Sequence, residues 1–406
     1  MKMPSLRRLD GHYIAMQMGF WAMYAAVCAY QAALLQERGF TNSQAGMVIA
    51  VRCLAGIVCQ PLLGGLADRR PDIPLRRIVG LSLAVSLGAG ICLLLFPEMG
   101  LGGTLAVFAV LGALEISSYP LMDAMAIQFI NAGMPIRYSL GRGLGSLAYA
   151  VVCVFLGLQV RHLGVETTLV THAGLMALEI ILVVTYPLFP AEAGTALKAE
   201  KPRSIPALLK YSPRFTLTLA GVLCGLTAVM PLSNFLVNIV ESRGGESADL
   251  GVALFLMAGF ELPAAVLFPK LMRRLGSRRI LLLSMVFMLG KGAALLAARN
   301  LAGVLLAQPL QMLGYGLFTP ASVYFVNESV PPADRVRGQT VMMVASNGLG
   351  GMLGSLLAGR LLDLGGVTMM LCFCMASGAA AVVLCALAGT LNSGDFDTSQ
   401  IRNGVV

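Results

Sequence analysis

Residues 119–149 read YPLMDAMAIQFINAGMPIRYSLGRGLGSLAY, an apolar helix, a short basic turn and a second apolar helix. The first helix carries Asp123 and the second carries Arg142. Ionised side chains inside apolar, membrane-length segments are costly, so both are functional candidates. Glu115, Tyr119 and Asp123 recur every four residues along one stripe of their helix, and Arg142, Gly145, Ser146 and Tyr149 line one stripe of the next. With the turn near residues 131–137, Asp123 lies roughly 10 Å above it and Arg142 roughly 6–8 Å, at about 1.5 Å per residue. At that depth the two can meet and offset each other's charge. They form part of a polar site within the membrane, or a structural pair that pins two helices.

Working outward, the whole chain shares this character. Of 406 residues, 57% are hydrophobic and 12% charged, against about 25% charged in soluble domains. This composition specifies an all-α integral membrane protein. Twelve apolar runs are long enough to span, at about 13–35, 44–66, 76–96, 104–130, 138–160, 166–189, 215–240, 248–271, 278–298, 301–327, 338–362 and 366–391. The first lacks the small-residue cleavage site of a secretory signal. Residues 1–190 are thus expected to form one six-helix bundle and 215–391 a second, joined by a basic linker at 191–214 and followed by a polar tail at 392–406.

Lys and Arg placement sets orientation. With both termini in the cytoplasm, inside segments hold 21 of the 29 basic residues, outside loops five and the spans three (Arg52, Arg142, Lys291). The net charge of +9 follows from these loops and does not indicate nucleic-acid binding. The nine cysteines all fall in apolar runs with no C-x-x-C, and there are three histidines, so neither a disulfide framework nor a metal site is expected. No cofactor is expected. No G-x-x-x-x-G-K-[ST], H-E-x-x-H or G-x-S-x-G occurs, which argues against an ATP-driven pump and against an enzyme.

The halves repeat. At an offset of 205, Gly46 falls on Gly251, Arg69 on Arg274, Tyr119 on Tyr324 and Gly143-Leu144-Gly145 on Gly348-Leu349-Gly350, which brings Arg142 onto Asn347. Parallel six-helix repeats with a site between them near the midplane are a recurrent transporter plan. After the second run comes Gly64-Gly65-Leu66-Ala67-Asp68-Arg69-Arg70, then Arg76-Arg77, with a degenerate copy at Arg273-Arg274-Leu275-Gly276-Ser277-Arg278-Arg279. This resembles the loop between helices 2 and 3 of the major facilitator superfamily. In such a loop Gly64 permits close helix approach, while Asp68 and Arg69 act as a breakable latch on one conformational state. Arg273 stands where the copy's Asp would be, so the second loop has no matching latch.

Gln60-Pro61-x-x-Gly64 and Tyr138-Ser139-x-Gly141-Arg142-Gly143-x-Gly145-Ser146 are similar to the lactose-permease-like and phenylpropionate-permease-like branch of proton symporters, over nearly the whole chain. The resemblance implies that Arg142 is the substrate-binding arginine, Asp123 its acidic partner and Tyr149 the ring that stacks on solute. It also implies that Lys291 on the ninth span and Glu261 on the eighth belong to a proton-coupling network. A Glu261–Lys291 pairing that changes would load and release the proton. One departure stands out: Gln308, Gln311 and Gly314 occupy the places of the lactose permease's Lys, His and Glu, and so its coupling groups do not carry over.

Arg52 either meets a substrate carboxylate, pairs with Glu115 or snorkels. Tyr24, Asn234, Asn238, Asn347 and Gln311 are further candidate contacts, and Glu179 reads as structural. The expectation is a monomeric proton-coupled symporter of the bacterial inner membrane, surrounded by lipid, that takes up a sugar, nucleoside or aromatic acid. A drug-type antiporter is the alternative, disfavoured because the fifth span has glycines but no proline between Gly141 and Gly157.

Overall fold

A computed structural model describes residues 5–70, 72–189 and 204–391. Among the described residues ten helical stretches are long and apolar enough to cross a membrane, and with the shorter Ala248–Gly259 and the turns at Gly276 and Gly365–Gly366 they divide into twelve segments that follow the apolar runs, several of them broken. The unbroken ones are Asn42–Arg69, Leu75–Leu95, Leu101–Asn131, Tyr138–Leu163 and Thr167–Thr185, spans two to six. Each begins where the apolar pattern begins. The second span shows why: Thr41 accepts from Gln44 N and Gln44 returns the bond to Thr41 N, so a capping box satisfies amides that the helix cannot. Pro61 and Pro120 sit inside their helices, tolerated where neighbouring helices and side chains re-satisfy the freed carbonyls.

The first span joins Leu6–Cys28 to Gln31–Glu37 through a break at Tyr30 (φ −110°, ψ 9°). The seventh joins Pro213–Asn234 to Leu236–Glu241 through Phe235 (φ −113°, ψ 28°). These breaks stand at the same 205-residue offset, so the repeat reaches the backbone as well as the side chains. The eighth span is Ser247–Gly259 and then residues 261–275, and the ninth is 277–297, with the turn at Gly276 (φ +75°). The tenth comprises Leu301–Ala307, a 3₁₀ turn Gln308–Met312 and Tyr315–Ser329. Residues 335–364 form the eleventh, with a π turn at Val344–Gly350, and 367–388 form the twelfth. The expected linker lies outside the described residues up to 203. Its remainder is a short helix, Ile205–Tyr211, leading directly into Pro213. The expected tail at 392–406 also lies outside the described residues.

Two seams join the halves. At one, a Cβ built on Gly46 would lie 2.4 Å from Ser355 O, and one on Gly359 would lie 2.2 Å from Asn42 O. At the other, a Cβ on Gly251 would meet Cys153 O at 2.4 Å and one on Gly157 would meet Ala248 O at 2.8 Å. Only glycine permits backbones this close. Polar contacts reinforce both seams. Asp363, at the end of the eleventh span, accepts from Asn42 N (3.0 Å), Asn42 Nδ2 (2.9 Å) and Ser43 N (2.8 Å). Gln36 and Asn238 both bond Asn42 Oδ1, and Arg161 pairs with Glu246 at 3.3 Å. Among the described residues, these inter-half contacts lie between the middle of the spans and the end whose loops carry few arginines. Farther along the second span, Val58, Leu62 and Leu66 are exposed.

Candidate functional site

Three tiers of side chains rise along the first, fourth and fifth spans. Nearest the basic end, Asp123 accepts hydrogen bonds from three neutral donors: Gln17 Nε2 (2.7 Å), Tyr138 Oη (2.9 Å) and Tyr13 Oη (3.1 Å). The Tyr13 and Tyr138 rings stack with centroids 5.7 Å apart. This closeness comes from Gly141, where a Cβ would stand 2.6 Å from Tyr13 Cε1.

One turn higher, the Arg142 guanidinium lies over the Tyr119 ring at 4.8 Å and the Trp21 ring at 5.4 Å. Cation–π attraction of this kind is worth about 0.5–2 kcal/mol, depending on how dry the site is. Trp21 meets Tyr119, Tyr24 and Tyr149 edge-on at 5.4, 5.8 and 6.4 Å. Gly145 admits the indole, since a Cβ there would clash with Trp21 Cδ1 at 2.5 Å. Two rings, from the first and fourth spans, therefore face the Arg142 guanidinium directly, and Tyr24 and Tyr149 pack behind Trp21.

In the third tier, Arg52 (3% exposed) donates through Nη2 to Glu115 Oε2 at 3.0 Å and through Nη1 to Gln31 Oε1 at 3.1 Å. It also lies 4.9 Å over the Tyr24 ring. Glu115 is fully buried, and its other oxygen lies 2.9 Å from His172 Nε2 on the sixth span. Of the sequence-level alternatives for Arg52, the structure shows the Glu115 pair.

The second half is less charged. Lys291, buried, donates to Gln311 Oε1 at 2.9 Å across the broken part of the tenth span. Tyr315 Oη donates to Asn347 Oδ1 at 3.0 Å, and Asn347 lies in the π turn. Such turns widen a helix by one residue and often mark functional sites. Asn234 Nδ2 donates to Ser355 Oγ at 2.9 Å. Glu261 opens the second part of the eighth span, and its side chain lies outside what is described. At the basic end, nothing lies within 4 Å of a Cβ built at Gly64, and Asp68 and Arg69 are exposed. In the adjoining loop Arg70 pairs with Asp72 at 3.1 Å and holds that carboxyl below its usual range by hydrogen bonding.

Sequence reasoning passed over Trp21, Tyr13, Gln17 and His172. The first three had a visible signal, because Tyr13, Gln17 and Trp21 recur every four residues on the first span. His172 offered none, since a single histidine in an apolar run says nothing of what faces it.

Comparison with known proteins identifies the family. The MFS_1 like family model matches residues 7–374. The maltose permease of Geobacillus stearothermophilus is 24% identical over 384 residues, covering 92% of this chain and 93% of that one. A variant of the nucleoside transporter NupG superposes with a TM-score of 0.80 at 16% identity, covering 94% of this chain and 99% of that one. An auto-inhibited POT family peptide transporter superposes at 0.72 with 14% identity, covering 96% and 98%. The chain belongs to the MFS_1 like family and is a multi-pass membrane transporter.

Proposed function

We propose that this transporter takes up a small organic solute of the sugar class, together with a proton, by alternating access across a bacterial inner membrane with both termini in the cytoplasm. The carrying observation is the Arg142 guanidinium seated over the Trp21 and Tyr119 rings, with Tyr24 and Tyr149 edge-on to Trp21, one turn above Asp123. Aromatic faces beside a charged donor suit the C–H face and hydroxyls of a sugar, and a nucleoside or aromatic acid presents similar chemistry. The maltose permease relationship supports a sugar first. Asp123 and Glu115 balance Arg142 and Arg52 within these tiers, which favours a solute without net charge. Lys291, held on Gln311 in the other half, and Glu261 at the break of the eighth span are the proton-coupling candidates on that side.

The seams close the arginine-poor end, so on this reading the site faces the cytoplasm. The test is uptake of labelled maltose, nucleosides and aryl acids into proteoliposomes under an imposed pH gradient. Accumulation that requires acid outside supports symport. Expulsion under the same gradient would make the protein an antiporter instead. In the same preparation, Arg142→Ala is expected to abolish ligand-induced thermal stabilisation while leaving the ligand-free melting temperature within a few degrees. Undiminished stabilisation would remove Arg142 from the site.

A further inference from the structure

We propose that the buried Arg52–Glu115–His172 cluster is a proton-binding centre of the transport cycle, in which solute drawing Arg52 away from Glu115 leaves the Glu115–His172 pair to take up one proton. This rests on the symport reading above but places a coupled proton on three residues of the first half that the substrate tiers do not use for it.

The geometry carries the argument. Glu115 is shared, with Oε2 on Arg52 and Oε1 on His172. His172 is fully buried, with Nε2 on the carboxylate, and its Nδ1 has no hydrogen-bond partner. That nitrogen faces Gly90 on the third span, where a Cβ would come within 3.2 Å of it. With the Nε2 hydrogen on Glu115, Nδ1 carries a free lone pair in a position kept open by a glycine. The guanidinium of Arg52 likewise has an unused donor, Nε, and lies over Tyr24, whose ring also packs against Phe20 and against Trp21 of the solute tier. One ring therefore separates Arg52 from the proposed solute.

Charge balance then restricts the states. Arg52⁺, Glu115⁻ and neutral His172 sum to zero. With Arg52 turned toward a neutral solute in the central chamber, where water and the solute's oxygens solvate its charge, Glu115⁻ and neutral His172 leave an uncompensated negative charge in their own sealed pocket, which is costly. Adding one proton to Nδ1, with the Nε2 hydrogen still on Glu115, restores neutrality. The proton comes from the aqueous phase, and no other bond changes. The surrounding titratable groups are Arg52 and Cys53 on the second span, Tyr24 and Cys28 on the first, Glu115 on the fourth, and Glu179 two turns along the same helix as His172. Glu179 packs against Gly19, and the third span meets His172 through Gly90.

The chain has one tryptophan, Trp21, so its fluorescence reports ligand in the solute tier directly. With maltose, or whichever solute the uptake screen identifies, wild-type affinity is expected to weaken by up to tenfold per pH unit as pH rises through the titration. Binding in weakly buffered solution should take up about one proton per protein, read with an indicator dye. His172→Gln should bind with pH-independent affinity and no proton uptake. Gly90→Ala, which crowds Nδ1 without altering any charge, should reduce uptake while keeping binding. If His172→Gln retains both the pH slope and the proton stoichiometry, or if Gly90→Ala leaves the stoichiometry at the wild-type value, the cluster is a static pair and this inference fails. If wild type itself binds solute with neither pH slope nor proton uptake, the symport reading fails before the cluster is in question.

Discussion

At the residue scale, the first half holds its charges in two different ways. Asp123 is stabilised by three neutral donors, whereas Glu115 is stabilised by a cation and an imidazole. Tyr138→Phe removes one donor from Asp123 and keeps the ring stack on Tyr13, so a loss of about 1–2 kcal/mol of stability is expected in a detergent thermal melt. Tyr149→Phe should cost less stability and act instead on ligand affinity, because its hydroxyl meets the Cys153 thiol, a weak hydrogen-bond partner, rather than a carboxylate, while its ring edge meets Trp21. A stability loss equal for the two variants would contradict this division. Asp123 and Arg142 were legible from sequence because a charge in an apolar run is conspicuous. Their surroundings were not: which side chain from a distant span faces a given charge depends on helix rotation and tilt. Tyr13 and Asp123 are 110 residues apart, and no local pattern encodes that meeting.

At the element scale, the start of the second span is the most heavily capped helix end in the molecule's seams. Thr41 caps it from its own chain segment and Asp363 caps it from the opposite half. Free amides at a helix N-terminus attract a carboxylate through both hydrogen bonds and the helix dipole. Asp363→Ala should therefore weaken closure by about 1–2 kcal/mol, a shift of roughly 5–30-fold in the population open at the arginine-poor end. Distances between spin labels at exposed Met47 and Leu364 would report the shift, and an unchanged distribution would show that the glycine contacts alone hold the seam. Asp363→Asn, which keeps an acceptor, should fall between. At the opposite end of this span, Asp68 is exposed. Breaks such as Tyr30, Phe235 and the π turn at 344–350 were invisible in the apolar pattern, which counts residues long enough to span without saying where hydrogen bonding slips. The twelve spans were legible for the converse reason: bilayer thickness imposes their length.

At the scale of the whole molecule, alternating access requires that two bundles move as bodies rather than as separate helices. The matched breaks at Tyr30 and Phe235 place equivalent bends in both halves, and the two glycine seams are the places where those halves touch most closely. If the halves rock rigidly, disturbing one seam must open the other, because neither bundle can yield at one edge alone. Gly46→Ala sets a methyl against Ser355 O, a backbone atom that cannot step aside, and so should wedge open the seam between the second and eleventh spans. The reporter belongs at the other seam. Ala248→Cys, in a background with the nine native cysteines replaced, sits where Gly157 now packs against residue 248. Its reaction with a membrane-impermeant maleimide should rise several-fold when Gly46→Ala is added, although the two sites lie on different spans of different bundles. Labelling that stays at the Ala248→Cys level would mean that the seams open independently. In that case the 205-residue repeat would describe ancestry and shape without describing motion.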